Sequence, residues 1–234
     1  MQTDFFAALL NVIRLVWLRL NHGFVSHSWV TIFLVAAVTL CMFMPDAVNA
    51  MKFDSHQILT QGEWWRVVTS PLVHSSWDHY TWNVIVLFAS SLVCEQINRR
   101  AFIKYLSLML VMNAAYKLVF LPADHISLGF SGFASGTFVL LLILIICEGM
   151  RTRDIWMIAV SGFILLLFSS HELGYFGSHT GWEMLSGRSI DGAPGKKTKP
   201  AHIVGMITGC IIGSGYLFAT AIKTKRSKCQ QGGE

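Results

Sequence analysis

Long runs of apolar residues, separated by short polar or basic stretches, dominate the pattern of this chain. A helix needs roughly 17–25 mostly apolar residues to cross the hydrocarbon core of a bilayer. Irregular backbone is too costly to expose to lipid, so such runs must form helices that pack on one another. The pattern therefore predicts six membrane-spanning helices, at 29–46, 79–96, 103–121, 129–147, 155–171 and 201–222.

The composition agrees with a membrane-embedded chain. Hydrophobic residues make up 53% of the sequence and charged residues 13%, and the mean hydropathy is +0.53. Soluble domains usually carry about a quarter charged residues. We therefore predict one all-α membrane domain over 29–222, preceded by an N-terminal segment, 1–28, and followed by a basic tail, 223–234.

The N-terminal segment has its own pattern. Residues 1–20 are apolar over most of a helical surface, with Arg14 and Arg19 as their only basic residues. This predicts an interfacial helix lying on the inner leaflet. A signal peptide is the alternative, since "VNA" at 48–50 resembles a small-residue cleavage site, although the apolar run before it begins unusually far from the start.

Basic residues favour an orientation with both termini in the cytoplasm. Six spans with an inside N-terminus place most of the 18 Lys and Arg residues on the cytoplasmic side, as the positive-inside rule expects. The lysines of "GKKTKP" (195–200) are the exception, because they fall on the outer side. The tail "KTKRSK" (223–228) is interpreted as a topology anchor.

Charge and cysteine usage exclude some classes of protein. The net charge of +5 comes from loops and tails, which suits an anionic lipid surface better than nucleic acid. The five cysteines form no pair at a metal-ligand spacing and imply no disulfide framework. We predict no metal site, no cofactor and no nucleic-acid partner, and a lipid bilayer as the surroundings.

A serine at the start of the fourth predicted span is a candidate for chemistry. In "GFSGFASG" (129–136), Gly129 and Gly132 lie on either side of Ser131. Glycine permits close approach of other groups, and a helix start has unpaired N–H groups. A serine that merely hydrogen-bonds neighbouring helices is the ordinary alternative.

Other polar residues fall at the same depth in the predicted topology. His202 lies near the start of the sixth span, and His79 and Asn83 lie one turn apart on the second. Ionisable groups within spans usually face the protein interior or a water-filled cavity. A hydroxyl, an imidazole and further hydrogen-bond donors are the groups that acyl transfer requires.

Glycine spacing predicts which two helices meet. Gly132 and Gly136 form a GxxxG pattern after Ser131, and a second stripe follows His202. Small residues at this spacing let helix backbones approach closely in lipid. We expect the fourth and sixth spans to pack together and to bring Ser131 near His202; the second stripe consists of Gly205, Gly209 and Gly213.

These motifs together resemble the rhomboid intramembrane serine proteases. "GFSG" (129–132) resembles their GxSG, "AHIVGMITG" (201–209) their catalytic sixth helix, and "HSSWDHYTWN" (74–83) their second-helix pattern. "WWR" (64–66) is similar to the WR of their first outer loop. The resemblance covers about 29–222 and implies a six-helix rhomboid-like bundle.

The resemblance also implies roles for individual residues. Ser131 would be the nucleophile and His202 the general base. The backbone N–H of Ser131, with His79 and Asn83, would line the oxyanion hole, and His74 is the outer histidine of the second-helix motif.

The expected catalytic group is a pair of residues, and one position near it departs from the rhomboid pattern. No carboxylate lies inside the predicted spans, since Glu95 and Glu148 fall at cytoplasmic ends, so a Ser–His dyad is expected. Four residues after the nucleophile, many rhomboids carry a tyrosine that stacks on the catalytic histidine. This chain has Ser135 at that position.

A narrower resemblance links the chain to the rhombosortase branch. The segment "GEWWR" (62–66) and the tryptophan before the second-helix histidine are similar to that branch, although Ser135 stands where the branch often has histidine. Its implied substrates are single-pass membrane proteins with a glycine-rich C-terminal anchor, at a bacterial inner membrane. The oligomeric state does not follow from the sequence.

Two other functions remain open from the sequence. A catalytically inactive rhomboid-like protein would bind membrane clients without cutting them, and a small transporter would require charged residues mid-span or paired broken helices. The long segment 171–200 is predicted to cap the site from the outer side, because functional lids are a common reason for long loops. A simple connector is its alternative.

Overall fold

The computed structural model describes residues 28–44, 46–122, 124–173 and 200–231, and nearly all of these are helical. The predicted interfacial helix at 1–20 and most of the predicted cap at 171–200 lie outside the described residues. The elements in chain order are α1 (Trp29–Met42), α2 (Ala47–Met51), β1 (Phe53–Asp54), α3 (Ser55–Gln61), α4 (Trp65–Thr69), a 3₁₀ turn (Ser70–Leu72), α5 (Trp77–Phe120), β2 (Ile126–Ser127), α6 (Ser131–Thr152), α7 (Ile155–Glu172) and α8 (Pro200–Gln231).

Four helices in the described part of the chain are long and apolar enough to cross a membrane, namely α5, α6, α7 and α8, the last over Pro200–Ile222. The predicted first span, 29–46, corresponds to the shorter apolar helix α1, which has 14 residues. The predicted second and third spans both lie in α5, which has 44 residues. The structure thus supports a helical membrane bundle without confirming six spans.

Helix α5 is interrupted at Asn98, whose φ of −155° and ψ of 87° are not helical. The Oδ1 atom of Asn98 accepts a hydrogen bond from the backbone N–H of Ala101 at 3.0 Å. This is the hydrogen bond by which an asparagine caps the start of a helix. The two halves of α5 are therefore separate helical segments on either side of Asn98.

Helix α6 is at the centre of the bundle. It contacts α5, α7 and α8, and it is the most buried of the four long helices. An aliphatic and aromatic cluster joins it to α5 and α1, and this cluster excludes water from the middle of the fold. Its most buried members are Val38, Leu87, Cys94, Phe102, Tyr105, Met109, Phe130, Leu140 and Leu144.

The segment between α1 and α5 is held together by Arg66, the arginine of "WWR". Its guanidinium donates to the backbone carbonyls of Asn49 at 2.8 Å and Lys52 at 3.1 Å, and it pairs with Glu63. Five N–H donors in a fixed plane make arginine suited to joining several acceptors in this way. Arg66 thereby ties α4 to the residues that precede β1.

A short antiparallel pair of strands is a departure from the all-α prediction. Phe53 is paired with Ser127, and Asp54 with Ile126. The pair joins the segment after α1 to the segment that leads into α6. Such a short ladder depends on two segments far apart in sequence, so the local hydrophobic pattern contains no sign of it.

Candidate active site

One end of the bundle gathers the candidate residues. The beginnings of α5, α6 and α8 meet there with the C-terminal end of α7. The contacts that define this end are Gly129 with His79, Gly132 with Ala201, and His202 with Glu172.

Backbone atoms of α6 and α8 touch through glycines. A Cβ added at Gly132 would lie 2.5 Å from the carbonyl oxygen of Ala201, and one at Gly209 would lie 2.5 Å from that of Gly136. A Cβ added at Gly205 would overlap the carbonyl oxygen of Gly132. No side chain larger than glycine's fits between the helices at these positions. Small residues at such a crossing let the two backbones approach closely in lipid.

This crossing brings together the two helix starts that carry the candidate hydroxyl and imidazole. Ser131 is the first residue of α6 and precedes Gly132, while His202 follows Ala201 in the first turn of α8. Because Gly132 lies against the backbone of Ala201, the two candidate residues are borne by touching segments of chain.

The imidazole of His202 is held by a carboxylate. Its Nδ1 atom lies 2.7 Å from Oε2 of Glu172, and both side chains are nearly buried. Its Nε2 atom is buried and has no hydrogen-bond partner among the described residues. The ring is therefore oriented through Nδ1, and Nε2 is left available to another group.

The sequence offers no carboxylate inside the predicted spans, whereas the structure has the Glu172 carboxylate against His202. Glu172 follows the predicted end of the fifth span, 155–171, by one residue, so the apolar pattern predicts that it lies in the outer loop. In the structure α7 continues to Glu172, which places the carboxylate in the same layer as the start of α8. The only signal in the sequence is the dipeptide "HE" at the end of an apolar run.

His74 supports the backbone just before the serine. Its Nε2 atom accepts a hydrogen bond from the N–H of Phe130 at 3.3 Å, and its ring packs edge-on against that of His79 with centroids 5.3 Å apart. Gly129 has a φ of +103°, and its N–H donates to the carbonyl of Ser70 at 3.1 Å. A side chain is strained at this φ and would also contact His79.

Asn83 offers a donor at the same end of the bundle. It lies one helical turn after His79 on α5, so the two side chains share a face. The Nδ2 atom of Asn83 is buried and finds no acceptor among the described residues. A buried amide without a partner is costly, and such groups are found where a substrate or an ordered water completes the hydrogen bond.

In the described ranges, no group of three or more His, Cys, Asp or Glu residues is positioned to hold a metal ion. His74 and His79 pack ring against ring.

We expect acid to destabilise the fold through His74. Burial, together with the neighbouring His79, lowers the pKa of His74 to about 4, compared with about 6.5 for the free side chain. The unfolded chain then binds the extra proton between these two pH values, so stability falls as the pH falls from 6.5 through 4, by at most about 3 kcal/mol.

Thermal unfolding in detergent from pH 7 to pH 4 measures this effect. His74→Gln keeps an acceptor for the Phe130 N–H without titrating, so its melting temperature should fall less than that of the parent. His56→Gln, which changes an exposed histidine on α3, is the matched control and should follow the parent. Identical acid dependence in parent and His74→Gln would contradict this assignment.

The fold and the site define a helical integral membrane protein that carries a serine and a carboxylate-paired histidine on two touching helices. Residues 61–218 match the Rhomboid domain, a range that includes Arg66, His74, Ser131 and His202. The chain therefore belongs to the rhomboid family, whose members include intramembrane serine proteases. A search among curated proteins finds no match.

Proposed function

We propose that this protein is an intramembrane serine endopeptidase with Ser131 as its nucleophile and His202 as its general base. The observation that carries the proposal is the backbone contact between Gly132 and Ala201, because these two residues adjoin Ser131 and His202 in the chain. Membership of the rhomboid family supports the same reaction class.

In the proposed reaction, Ser131 Oγ attacks the carbonyl carbon of the scissile peptide bond while Nε2 of His202 accepts the hydroxyl proton. The resulting imidazolium donates that proton to the leaving amine, and the C–N bond breaks. Water then attacks the acyl-enzyme with the same imidazole as base, which restores Ser131. Carboxylate and amine ends are the products of hydrolysis; an amine that attacked in place of water would give a transfer product.

The negative charge on the carbonyl oxygen needs hydrogen-bond donors. The first N–H groups of a helix have no acceptor within the helix, and Ser131 is the first residue of α6. His79, which contacts Gly129, and the buried Nδ2 of Asn83 are the side-chain donors that we assign to this oxyanion. Donors that are fixed before the reaction stabilise a developing oxyanion without reorganisation.

The proposed topology has six spans with both termini in the cytoplasm of a bacterial cell. In this topology the interruption at Asn98 would separate an inward span from an outward one within α5, and the shorter apolar helix α1 would be the first span. The basic residues near Asn98 then lie on the cytoplasmic side, as the positive-inside rule expects. The candidate site would face the outer half of the inner membrane.

The proposed substrates are single-pass membrane proteins whose membrane anchor follows a glycine-rich segment, as the rhombosortase resemblance suggests. A transmembrane substrate must leave its helical form before a carbonyl can reach Ser131. Glycine costs a helix about 1 kcal/mol relative to alanine, so a glycine-rich segment unwinds most easily. The resemblance in "GEWWR" (62–66) supports this substrate class over other membrane anchors.

Paired reporters test the substrate class. We expect the purified protein in vesicles to cleave a reporter with a glycine-rich segment about 30- to 160-fold faster than one with alanines at those positions, since two or three glycines change the helix by about 2–3 kcal/mol. Ser131→Ala gives the background. Equal cleavage of both reporters would reject the glycine preference, and binding of either reporter without cleavage would favour an inactive client-binding protein.

A further inference from the structure

We propose that Glu172 is a positioning residue for His202, so that the site is a Ser131–His202–Glu172 triad rather than a dyad. This inference rests on the proposed function and deepens it. It answers what orients the imidazole in a chain that has Ser135 where many rhomboids have a ring to stack on the histidine.

The hydrogen bond between the two side chains selects the useful form of the ring. A carboxylate only accepts hydrogen bonds, so Nδ1 of His202 carries the proton that it donates to Glu172 across 2.7 Å. In a neutral imidazole the other nitrogen, Nε2, is then the acceptor. This is the atom that has no partner among the described residues and that must take the proton of Ser131.

The carboxylate also stabilises the charge that the reaction creates. When Nε2 takes the serine proton the ring becomes a cation, and a negative charge at hydrogen-bond distance favours that form. The side chains of His202 and Glu172 are 9% and 11% exposed, so water screens their attraction only weakly. A buried carboxylate in turn needs partners, and Nδ1 of His171 lies 3.5 Å from its second oxygen.

Packing between α6 and α7 fixes where the carboxylate lies. Phe168, one turn before Glu172 on α7, packs edge-on against Phe138 of α6 with ring centroids 5.0 Å apart. At the opposite end of α7, Asp154 caps the helix by accepting hydrogen bonds from the N–H groups of Trp156 and Met157. Glu172 is thus held by a capped helix that packs on the serine-bearing helix one turn before the carboxylate.

Kinetics of Glu172 variants test the role. We expect Glu172→Gln to lower kcat on the order of 10²- to 10⁴-fold with little change in KM, since the amide is uncharged and can donate to Nδ1 and select the wrong tautomer. Glu172→Asp keeps the charge one methylene further away and should recover part of the loss. Glu148→Gln, the same change at the far end of α6 beside Arg151, is the matched control and should leave kcat unchanged.

A spectroscopic measurement tests the pairing without relying on cleavage. The full-length protein with ¹⁵N-labelled histidines in detergent gives separate signals for the two ring nitrogens, and His202→Gln identifies which signals belong to His202 among the nine histidines. We expect the Nδ1–H tautomer in the parent and in Glu148→Gln, and its loss in Glu172→Gln.

The two measurements separate the possible failures. Unchanged kcat together with an unchanged tautomer signal in Glu172→Gln would overturn the inference. A second outcome is a parent that cleaves no reporter and reacts with no serine-directed probe, but whose Nδ1–H signal is absent from Glu172→Gln. That outcome would reject the protease function and leave the carboxylate–imidazole pairing established. The triad would be supported if Glu172→Gln lowers kcat and loses the Nδ1–H tautomer, and Glu172→Asp recovers part of the kcat.

Discussion

Replacing Ser131 with alanine, or His202 with alanine, is expected to eliminate cleavage to the same extent. A nucleophile and its base act as one unit, so either loss removes the whole covalent route, on the order of 10⁴-fold or more in kcat. The double variant should therefore be no slower than either single variant. Initial rates on a membrane-anchored reporter, measured for the parent and the three variants, check this.

Ser161→Ala is the control for these variants. Ser161 is a serine on α7 that is buried and is not part of the candidate site, so its loss tests whether removing any buried hydroxyl impairs the protein. Full activity is expected. Multiplicative losses in the double variant would show that Ser131 and His202 act independently, against the proposed chemistry.

Gly205→Ala is expected to lower both the stability of the fold and the rate of cleavage. The added Cβ would overlap the carbonyl oxygen of Gly132 and lie 2.9 Å from its carbon, and both are backbone atoms that cannot rotate away. Overpacking of this kind typically costs about 1–3 kcal/mol. Because Ser131 adjoins Gly132, a displacement of about 1 Å between the helices should also lower activity about 10²-fold.

Gly215→Ala provides a control on the same helix. A Cβ at Gly215 meets nothing within 4 Å among the described residues, and alanine favours a helix over glycine by about 1 kcal/mol. This variant should keep full activity and melt at the same temperature as the parent or higher. Normal cleavage and normal melting in Gly205→Ala would contradict the close crossing of α6 and α8.

The sequence predicts the long helices well because lipid restricts what an apolar run can be. An uninterrupted run such as "FVLLLILII" (138–146) has to be helical in a bilayer, and α6 begins at Ser131, close to the predicted start at 129. The glycine stripe likewise indicates where α8 meets α6, since only small residues permit that approach. These features depend on neighbours in sequence or on simple periodicity.

Other parts of the site depend on contacts that no local pattern contains. Glu172 and His202 are 30 residues apart, and their pairing depends on α7 continuing one residue beyond its apolar run. Arg66 belongs to a motif that the sequence shows, but its hydrogen bonds to the carbonyls of Asn49 and Lys52 depend on the fold. Hydrophobic periodicity finds buried faces and is insensitive to single polar pairs at helix ends.

The most direct test of the account is to find which residue a serine-directed covalent probe modifies. The intact protein in detergent is treated with a fluorophosphonate, digested, and analysed by mass spectrometry for the modified peptide. The account predicts one adduct, on Ser131, that is absent from Ser131→Ala and strongly reduced in His202→Ala. An adduct on a different serine, or labelling that survives Ser131→Ala unchanged, would contradict it.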